Sequence, residues 1–323
     1  MPVAPGVLYP LHEADEAALA AEAAAALRAM PARVSPKFLY DALGSRLFDA
    51  ITELPSYYPT RTEAAIFDRW GRAIADDVLR RTGAAPAMIE LGAGNGAKAA
   101  RLFPLLAPRR YVAVDISADF LRESVRLLQR DHPGIEVIGV AQDFSSRLQL
   151  PDELAAPRSL VFHAGSSIGN FAPDAALRLL RDMRAAAAGG ALLIGVDLVK
   201  DKAILEAAYD DELGVTAAFN LNLLLHLNRV LGADFDPRGW RHVAFFDERA
   251  SRIEMHLEAR HALTVGWAGG GERRFAAGER MHTEDSYKWT VGGFGALLRD
   301  AGYRDIAHWT DDRGWFAVFV AGA

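Results

Sequence analysis

Between residues 87 and 197 the chain alternates two patterns, and this alternation narrows the possible folds more than any other feature. Five short apolar runs, Ala87–Leu91, Tyr111–Asp115, Ile135–Val140, Leu160–Ala164 and Ala191–Asp197, have the near-continuous hydrophobicity of strands buried on both faces. Ala97–Leu106, Ser117–Arg130 and Pro173–Ala188 lie between most of them and carry apolar residues at helical spacing. Strands separated by helices make a parallel sheet covered on both sides, with right-handed crossovers. The fold class expected is therefore α/β.

After Asp197 the pattern changes. Asp201–Glu212 and Val215–Leu231 read as helices. Arg252–Arg260 then alternates strictly: Ile253, Met255 and Leu257 share one face, and Glu254, His256 and Glu258 the other. A period of two marks a half-buried antiparallel strand. Residues 198–285 thus look like a separate α+β lobe. Thr290–Ala301 reads as a helix, and Asp305–Thr310 and Trp315–Ala321 as strands joined by the turn Asp311-Asp312-Arg313-Gly314. The chain is expected to leave the sheet near 198 and return near 287. The sheet domain is then 63–198 with 287–323, and the lobe is 1–62 with 199–286. Within the lobe, Glu13–Met30 reads as an alanine-rich helix stopped by Pro31.

Composition excludes several functions. With no cysteine, there can be no disulfide, thiolate zinc site or cysteine nucleophile. A net charge of −6 without a basic run gives no electrostatic footprint for nucleic acid. No uncharged apolar run reaches the roughly 18 residues of a membrane span, and no basic segment precedes an apolar stretch near the start. A cytoplasmic monomer is expected. His163, His242, His256 and His282 are scattered without ligand spacing, so no metal is expected. Asp197, Asp201, Asp210 and Asp211 read as helix caps rather than cation ligands.

The strongest local motif is Ile89-Glu90-Leu91-Gly92-Ala93-Gly94-Asn95-Gly96-Ala97-Lys98, between a strand and a helix. Glycines let a backbone turn sharply and approach a ligand, and the helix start behind them offers unpaired N–H groups. Two cofactors compete for it. Gly92, Gly94 and Ala97 satisfy the dinucleotide pattern, with Asp115 about 20 residues on to hold a ribose. Three details favour S-adenosylmethionine (SAM). Glu90 stands two residues before Gly92 in an acid-x-Gly-x-Gly order. Asp115 ends the second strand, where it can bond both ribose hydroxyls. Asp143-Phe144 follows the third strand, where an acid can accept from the adenine amine and a ring can pack on the purine.

Further blocks carry a family resemblance. They are Ser35-Pro36-Lys37-Phe38-Leu39-Tyr40-Asp41, Leu54-Pro55-Ser56-Tyr57-Tyr58-Pro59-Thr60-Arg61-Thr62-Glu63, Gly165-Ser166-Ser167-Ile168-Gly169-Asn170-Phe171, Ala208-Tyr209-Asp210-Asp211, Gly214-Val215-Thr216-Ala217-Ala218-Phe219-Asn220, Arg252-Ile253-Glu254-Met255 and His282-Thr283-Glu284-Asp285-Ser286-Tyr287-Lys288-Trp289. Over residues 35–323 the chain resembles the histidine Nα-methyltransferases of ergothioneine biosynthesis, which trimethylate L-histidine to hercynine. The resemblance implies a Rossmann-like class I SAM-methyltransferase sheet ending in an antiparallel hairpin, plus a smaller α+β substrate-binding lobe. It implies that Glu284 and Ser286 bind the imidazole, that Tyr57, Asn170 and Tyr209 surround the carboxylate and amine, and that Tyr40 lies beside the amine being methylated. Phe48 and Met255 match pocket-wall positions. Gly92, Lys98, Asp115, Asp143 and Phe144 match cofactor positions, alongside Gly94 of the loop motif. Ala93 and Asn95-Gly96-Ala97 depart from the serine or threonine more usual there. Taken without the resemblance, Glu284 and Ser286 read as a solvated turn, the tyrosines as core aromatics, Asn170 as a turn residue and Lys98 as a surface lysine.

Overall fold

The computed structural model describes residues 7–10, 16–145 and 147–323. In chain order come β1 (Val7–Pro10), α1 (Glu16–Arg28), α2 (Ala42–Thr52), α3 (Tyr58–Thr82), β2 (Ala87–Leu91), α4 (Ala97–Ala100), α5 (Phe103–Leu106), β3 (Arg110–Asp115), α6 (Ala118–Asp131), β4 (Glu136–Ala141), β5 (Leu160–His163), α7 (Pro173–Ala187) and β6 (Ala191–Asp197). There follow α8 (Lys202–Ala207), α9 (Val215–Leu231), β7 (Trp240–Asp247), β8 (Arg252–Ala259), β9 (Leu263–Trp267), β10 (Gly271–Phe275), β11 (Arg280–Tyr287), α10 (Val291–Asp300), β12 (Arg304–Thr310) and β13 (Phe316–Gly322). The chain divides into two compact units. One comprises Pro59–Val199 and Lys288–Ala323 with the strand at Val7–Pro10; the other comprises Lys200–Tyr287 with the described chain from α1 to Tyr58.

The first unit is built on an eight-stranded sheet in the order β1-β4-β3-β2-β5-β6-β13-β12. β1 to β6 pair in parallel, whereas β13 runs antiparallel to both β6 and β12. The expected central strands and terminal hairpin are present. Their continuous apolar character has a physical cause, because alternate residues feed two cores. Met88, Tyr111, Ala113 and Phe162 face one core, with Ile66, Ile74 and Val78 of α3 and Leu121 and Val125 of α6. Ile89, Leu91, Val112 and Val161 face the other, with Leu179, Leu180 and Met183 of α7 and Phe294 and Leu298 of α10. Each buried valine, leucine, isoleucine, phenylalanine or methionine among them stabilises the fold by about 1.5–3 kcal/mol.

Four expectations need correction. Residues 1–62 do not all belong to the lobe, since Val7–Pro10 pairs with Ile138–Ala141 in the sheet. Residues 62 and 63 lie within one continuous helix, α3. Ala97–Leu106 is two short helices, because Pro104 fits a first turn but not a helix interior, and α5 restarts at Phe103. The helix expected over Asp201–Glu212 stops at Ala207. Asp211 instead accepts from the N–H groups of Val215 and Thr216 and so starts α9. Residues 13–15 of the alanine-rich helix lie outside the described residues, and the rest forms α1.

The second unit holds an antiparallel sheet, β11-β8-β7, and the hairpin β9-β10. α9 packs on α1, α2, β7 and β8, burying Phe219, Leu223, Leu224 and Leu227. Ile253, Met255 and Leu257 of β8 are buried, as the period-two pattern requires. The opposite face of β8 is not simply solvated. Glu254 is held by Arg252 and His256, and Glu258 by Arg241 and Arg280.

Candidate active site

The cofactor-side residues of the sheet unit gather at the C-terminal ends of β2, β3 and β4. Leaving β2, the N–H groups of Gly92 and Ala93 both donate to the Val114 carbonyl, at 2.9 and 3.2 Å. Gly92, Gly94 and Gly96 then take φ of 69°, 54° and 70°, a region that favours glycine. At Gly96 an added Cβ would also lie 2.4 Å from Leu128 Cδ1. Asp115 ties this turn to the end of β3: its Oδ2 accepts from Gly94 N at 2.9 Å and its Oδ1 from Ser117 N at 3.1 Å. Removal from water raises the Asp115 pKa, against the pull of the Gly94, Ser117 and Ile116 N–H groups. An ionised carboxylate offers about four acceptor sites, so acceptor capacity remains beyond those amides.

Phe144 completes one wall, since its Cζ lies 3.9 Å from the position of a Cβ at Gly92. Its ring meets that of His163 edge-on at 6.2 Å. Asp143 accepts from Ser145 N at 2.9 Å through one oxygen. Lys98, in the first turn of α4, is no ordinary surface lysine. Its ammonium lies 3.0 Å from Oε2 of Glu63, a side chain only 2% exposed. Below the loop, the buried Glu90 accepts from the Tyr111 hydroxyl, and burial pushes its carboxyl up to about 8. His163 donates from Nδ1 to the Leu91 carbonyl at 2.9 Å, and burial pushes its pKa down to about 4, so the ring is neutral.

Asn170 ends a 3-10 turn, Ser167–Asn170, just beyond β5. The start of this segment is pinned: Gly165 N donates to Glu63 Oε1 at 2.8 Å, and Asp197 N donates to Ser166 Oγ at 2.8 Å. Asp197 ends β6 and is not the cap of the helix that follows. It forms a fully buried ion pair with Lys288 at 2.8 Å. Asp201 does cap, accepting from Ala203 N at the start of α8.

In the second unit a chain of contacts links five of the expected substrate residues, Tyr40, Phe48, Tyr57, Tyr209 and Ser286. Tyr40 meets Phe48 edge-on at 5.7 Å, Phe48 meets Tyr57 at 6.2 Å, and Tyr57 meets Tyr209 at 6.2 Å. The Tyr209 hydroxyl and Ser286 Oγ are 2.7 Å apart. Phe219 of α9 backs both Tyr40 and Phe48, at 5.5 and 6.0 Å. Glu284 and Ser286 are buried residues of β11, not a solvated turn. They pair with Met255 and Ile253, so their side chains share the apolar face of β8. A bulge at Thr283 sets this register, and the Thr283 hydroxyl donates to the Met255 carbonyl at 3.0 Å. The intervening Asp285 turns to the other face, where His282 and Arg33 hold it.

Comparison with known proteins settles which family this arrangement belongs to. The profile of the histidine-specific, SAM-dependent methyltransferases matches residues 19–323. The chain belongs to that family. This methyltransferase is 41% identical to the histidine N-alpha-methyltransferase of Mycolicibacterium smegmatis over 95% of its own length and 96% of the relative's. It is 39% identical to the enzyme of that name from Mycobacterium tuberculosis, over 96% of each chain. Among solved structures, the CcbJ methyltransferase of Streptomyces caelestis overlays with a TM-score of 0.46 at 16% identity, covering 84% of this chain and 99% of that one.

The family's cofactor is SAM, and the loop of this methyltransferase fits it. Gly94 leaves open space where a side chain would project, and the Asp115 carboxylate sits beside it with acceptor capacity for hydroxyls. Sequence reasoning missed two side chains at these sites. Phe219 and Glu63 were visible only as members of motif blocks, and Glu63 lies on a helix that apolar periodicity did not announce.

Proposed function

We propose that this methyltransferase moves methyl groups from SAM to the α-amine of L-histidine, three in succession, giving hercynine. The observation that carries the substrate assignment is the pairing of Glu284 and Ser286 on one buried face of β11, with the Ser286 hydroxyl bonded to Tyr209. A carboxylate accepts an imidazole N–H, and a hydroxyl serves the second ring nitrogen. Buried groups of this kind reject side chains without two ring nitrogens, because they would lose their partners. Met255 and Phe48 line the apolar part of the site. Tyr57 and Tyr209 serve the amino-acid carboxylate and amine, and the resemblance assigns Asn170 to the same end.

On the cofactor side, Gly92 and Gly94 let the main chain approach, Asp115 accepts the ribose hydroxyls, Asp143 accepts the adenine amine, and Phe144 packs on the purine. Lys98 serves the same side. When bound, SAM supplies an electrophilic methyl on a positively charged sulfur. The residues of the chain then have three tasks: aligning the amine lone pair with that methyl, excluding water, and taking the proton that the nitrogen must lose before each attack. As each C–N bond forms, the C–S bond breaks. Tyr40, beside the amine, relays the proton, directly or through water.

The test is calorimetric titration of L-histidine, with L-tryptophan in parallel, into protein saturated with S-adenosylhomocysteine. Selective histidine binding, followed by mass detection of three added methyl groups on turnover with SAM, is the expected result. Binding of S-adenosylhomocysteine without any histidine binding would send the reading to another amine.

A further inference from the structure

Glu63 is nearly fully buried in the sheet unit, yet no part of the transfer chemistry described above uses it. Its two carboxylate oxygens are divided between two loops. Oε2 accepts from the Lys98 ammonium at 3.0 Å, on the helix that follows the glycine turn. Oε1 accepts from Gly165 N at 2.8 Å, at the head of the segment that ends in Asn170. The surroundings are cut to fit this carboxylate. A Cβ at Gly195, in the middle of β6, would lie 2.1 Å from Glu63 Oε1. A Cβ at Gly165 would lie 2.6 Å from the Lys98 ammonium, and Gly165 takes a φ of +72°. Two glycines thus leave room for one acid and one base.

A buried carboxylate is costly unless charge and hydrogen bonds compensate it. Here the compensation comes from Lys98, assigned above to the cofactor, and from the amide that heads the segment ending in Asn170, assigned above to the substrate, where a purely structural site could use any local partner. We infer that Glu63 is a positioning residue that fixes the Lys98 ammonium toward the cofactor and, through the same carboxylate, sets the Gly165–Asn170 segment. The inference rests on the assignment of Lys98 to the cofactor side. Glu63 touches no reacting atom; it acts through the two groups it holds.

The experiment is a double-mutant cycle read by calorimetric binding of S-adenosylhomocysteine to the full chain, using the parent, Glu63→Gln, Lys98→Met and the double variant. Glutamine keeps an oxygen for Gly165 N but cannot accept both bonds as an anion. The expected result is a loss of about tenfold in affinity for Glu63→Gln, the order of one charge-assisted hydrogen bond. Lys98→Met should lose at least as much, and the double variant should bind no worse than Lys98→Met alone. Losses that add in the double variant, or parental affinity in Glu63→Gln while Lys98→Met is weakened, would overturn the role of Glu63. Unchanged affinity in Lys98→Met would overturn the lysine assignment beneath it, a separate and recognisable outcome. Glu63→Leu, which removes both acceptors, should in addition weaken L-histidine binding to the saturated protein severalfold, an effect absent in Glu63→Gln. Equal histidine binding in the two variants would break the link to the second loop.

Discussion

On the sheet unit, the cofactor-side residues Gly92, Gly94, Lys98, Asp115, Asp143 and Phe144 all lie at or shortly after the ends of three adjacent parallel strands. In the lobe, Tyr40, Phe48, Tyr57, Tyr209, Met255, Glu284 and Ser286 come from segments scattered between the residues just before α2 and the end of β11, and ring contacts and one bulge bring them together. The first site is made largely of main chain: three left-handed glycines, two amides on one carbonyl, and two on one carboxylate. The second is made of side chains. A site built from turns is specified by neighbouring residues and tolerates changes elsewhere. A site built from packed side chains depends on every element that supports it, and it can change specificity one side chain at a time.

The largest expected effect tests whether the sheet unit's core carries a cost that the lobe does not share. Burial raises the Glu90 carboxyl from its ordinary value near 4.5 to about 8. The folded state therefore holds the proton more tightly than the unfolded chain. The stability this confers is complete below about pH 4.5 and is lost as the pH climbs to about 8, by at most roughly 1.4 kcal/mol per pH unit. Glu90→Gln keeps an acceptor for the Tyr111 hydroxyl and has nothing to titrate. In urea unfolding, the stability of the parent relative to Glu90→Gln should fall by up to about 4 kcal/mol between pH 5 and pH 8. A difference that does not change with pH would mean that Glu90 is ionised in the folded protein.

The two regions were also unequally legible. The runs at 87–91 and 191–197 match β2 and β6 to the residue, because strands buried on both faces need no alternation to reveal them. β11 gave no such signal. His282, Thr283, Glu284, Asp285 and Ser286 are all buried, polar residues packing both faces of the strand, so a hydrophobicity pattern reads the stretch as a turn. Nor can periodicity foresee the bulge at Thr283, which decides that Glu284 and not Asp285 shares a face with Met255. Only the family resemblance picked out these residues, and only packing shows that Tyr209 and Ser286 touch.

A smaller but more selective effect should separate the two sites. Glu284→Ala removes a buried carboxylate from the face it shares with Met255 and leaves the glycine turn untouched. L-histidine affinity should fall by about 100-fold, the order expected for a charged hydrogen bond in a buried site. S-adenosylhomocysteine affinity, measured by the same calorimetry, should stay within about twofold, since the substitution removes no group that serves the cofactor. Equal losses of both ligands would show that Glu284 supports the fold and does not read the ring.

The smallest effect probes the lobe's internal scaffolding. Tyr209 is held twice. His242 Nε2 donates to its carbonyl at 2.8 Å, while Asn220 Nδ2 donates to His242 Nδ1 at 2.9 Å, and the Tyr209 ring packs on Tyr57. Burial lowers the His242 pKa, which keeps the neutral ring that this donor-acceptor arrangement requires. The main chain at Tyr209 is thus fixed independently of its hydroxyl. Tyr209→Phe should keep the ring packing and lose the 2.7 Å contact with Ser286. One hydrogen bond of this kind contributes about 1 kcal/mol, so the KM for histidine should rise roughly fivefold with kcat within about twofold. If kcat falls instead and KM holds, the hydroxyl acts in the transition state, and Tyr209 belongs with Tyr40 in the transfer step rather than with Ser286 in recognition.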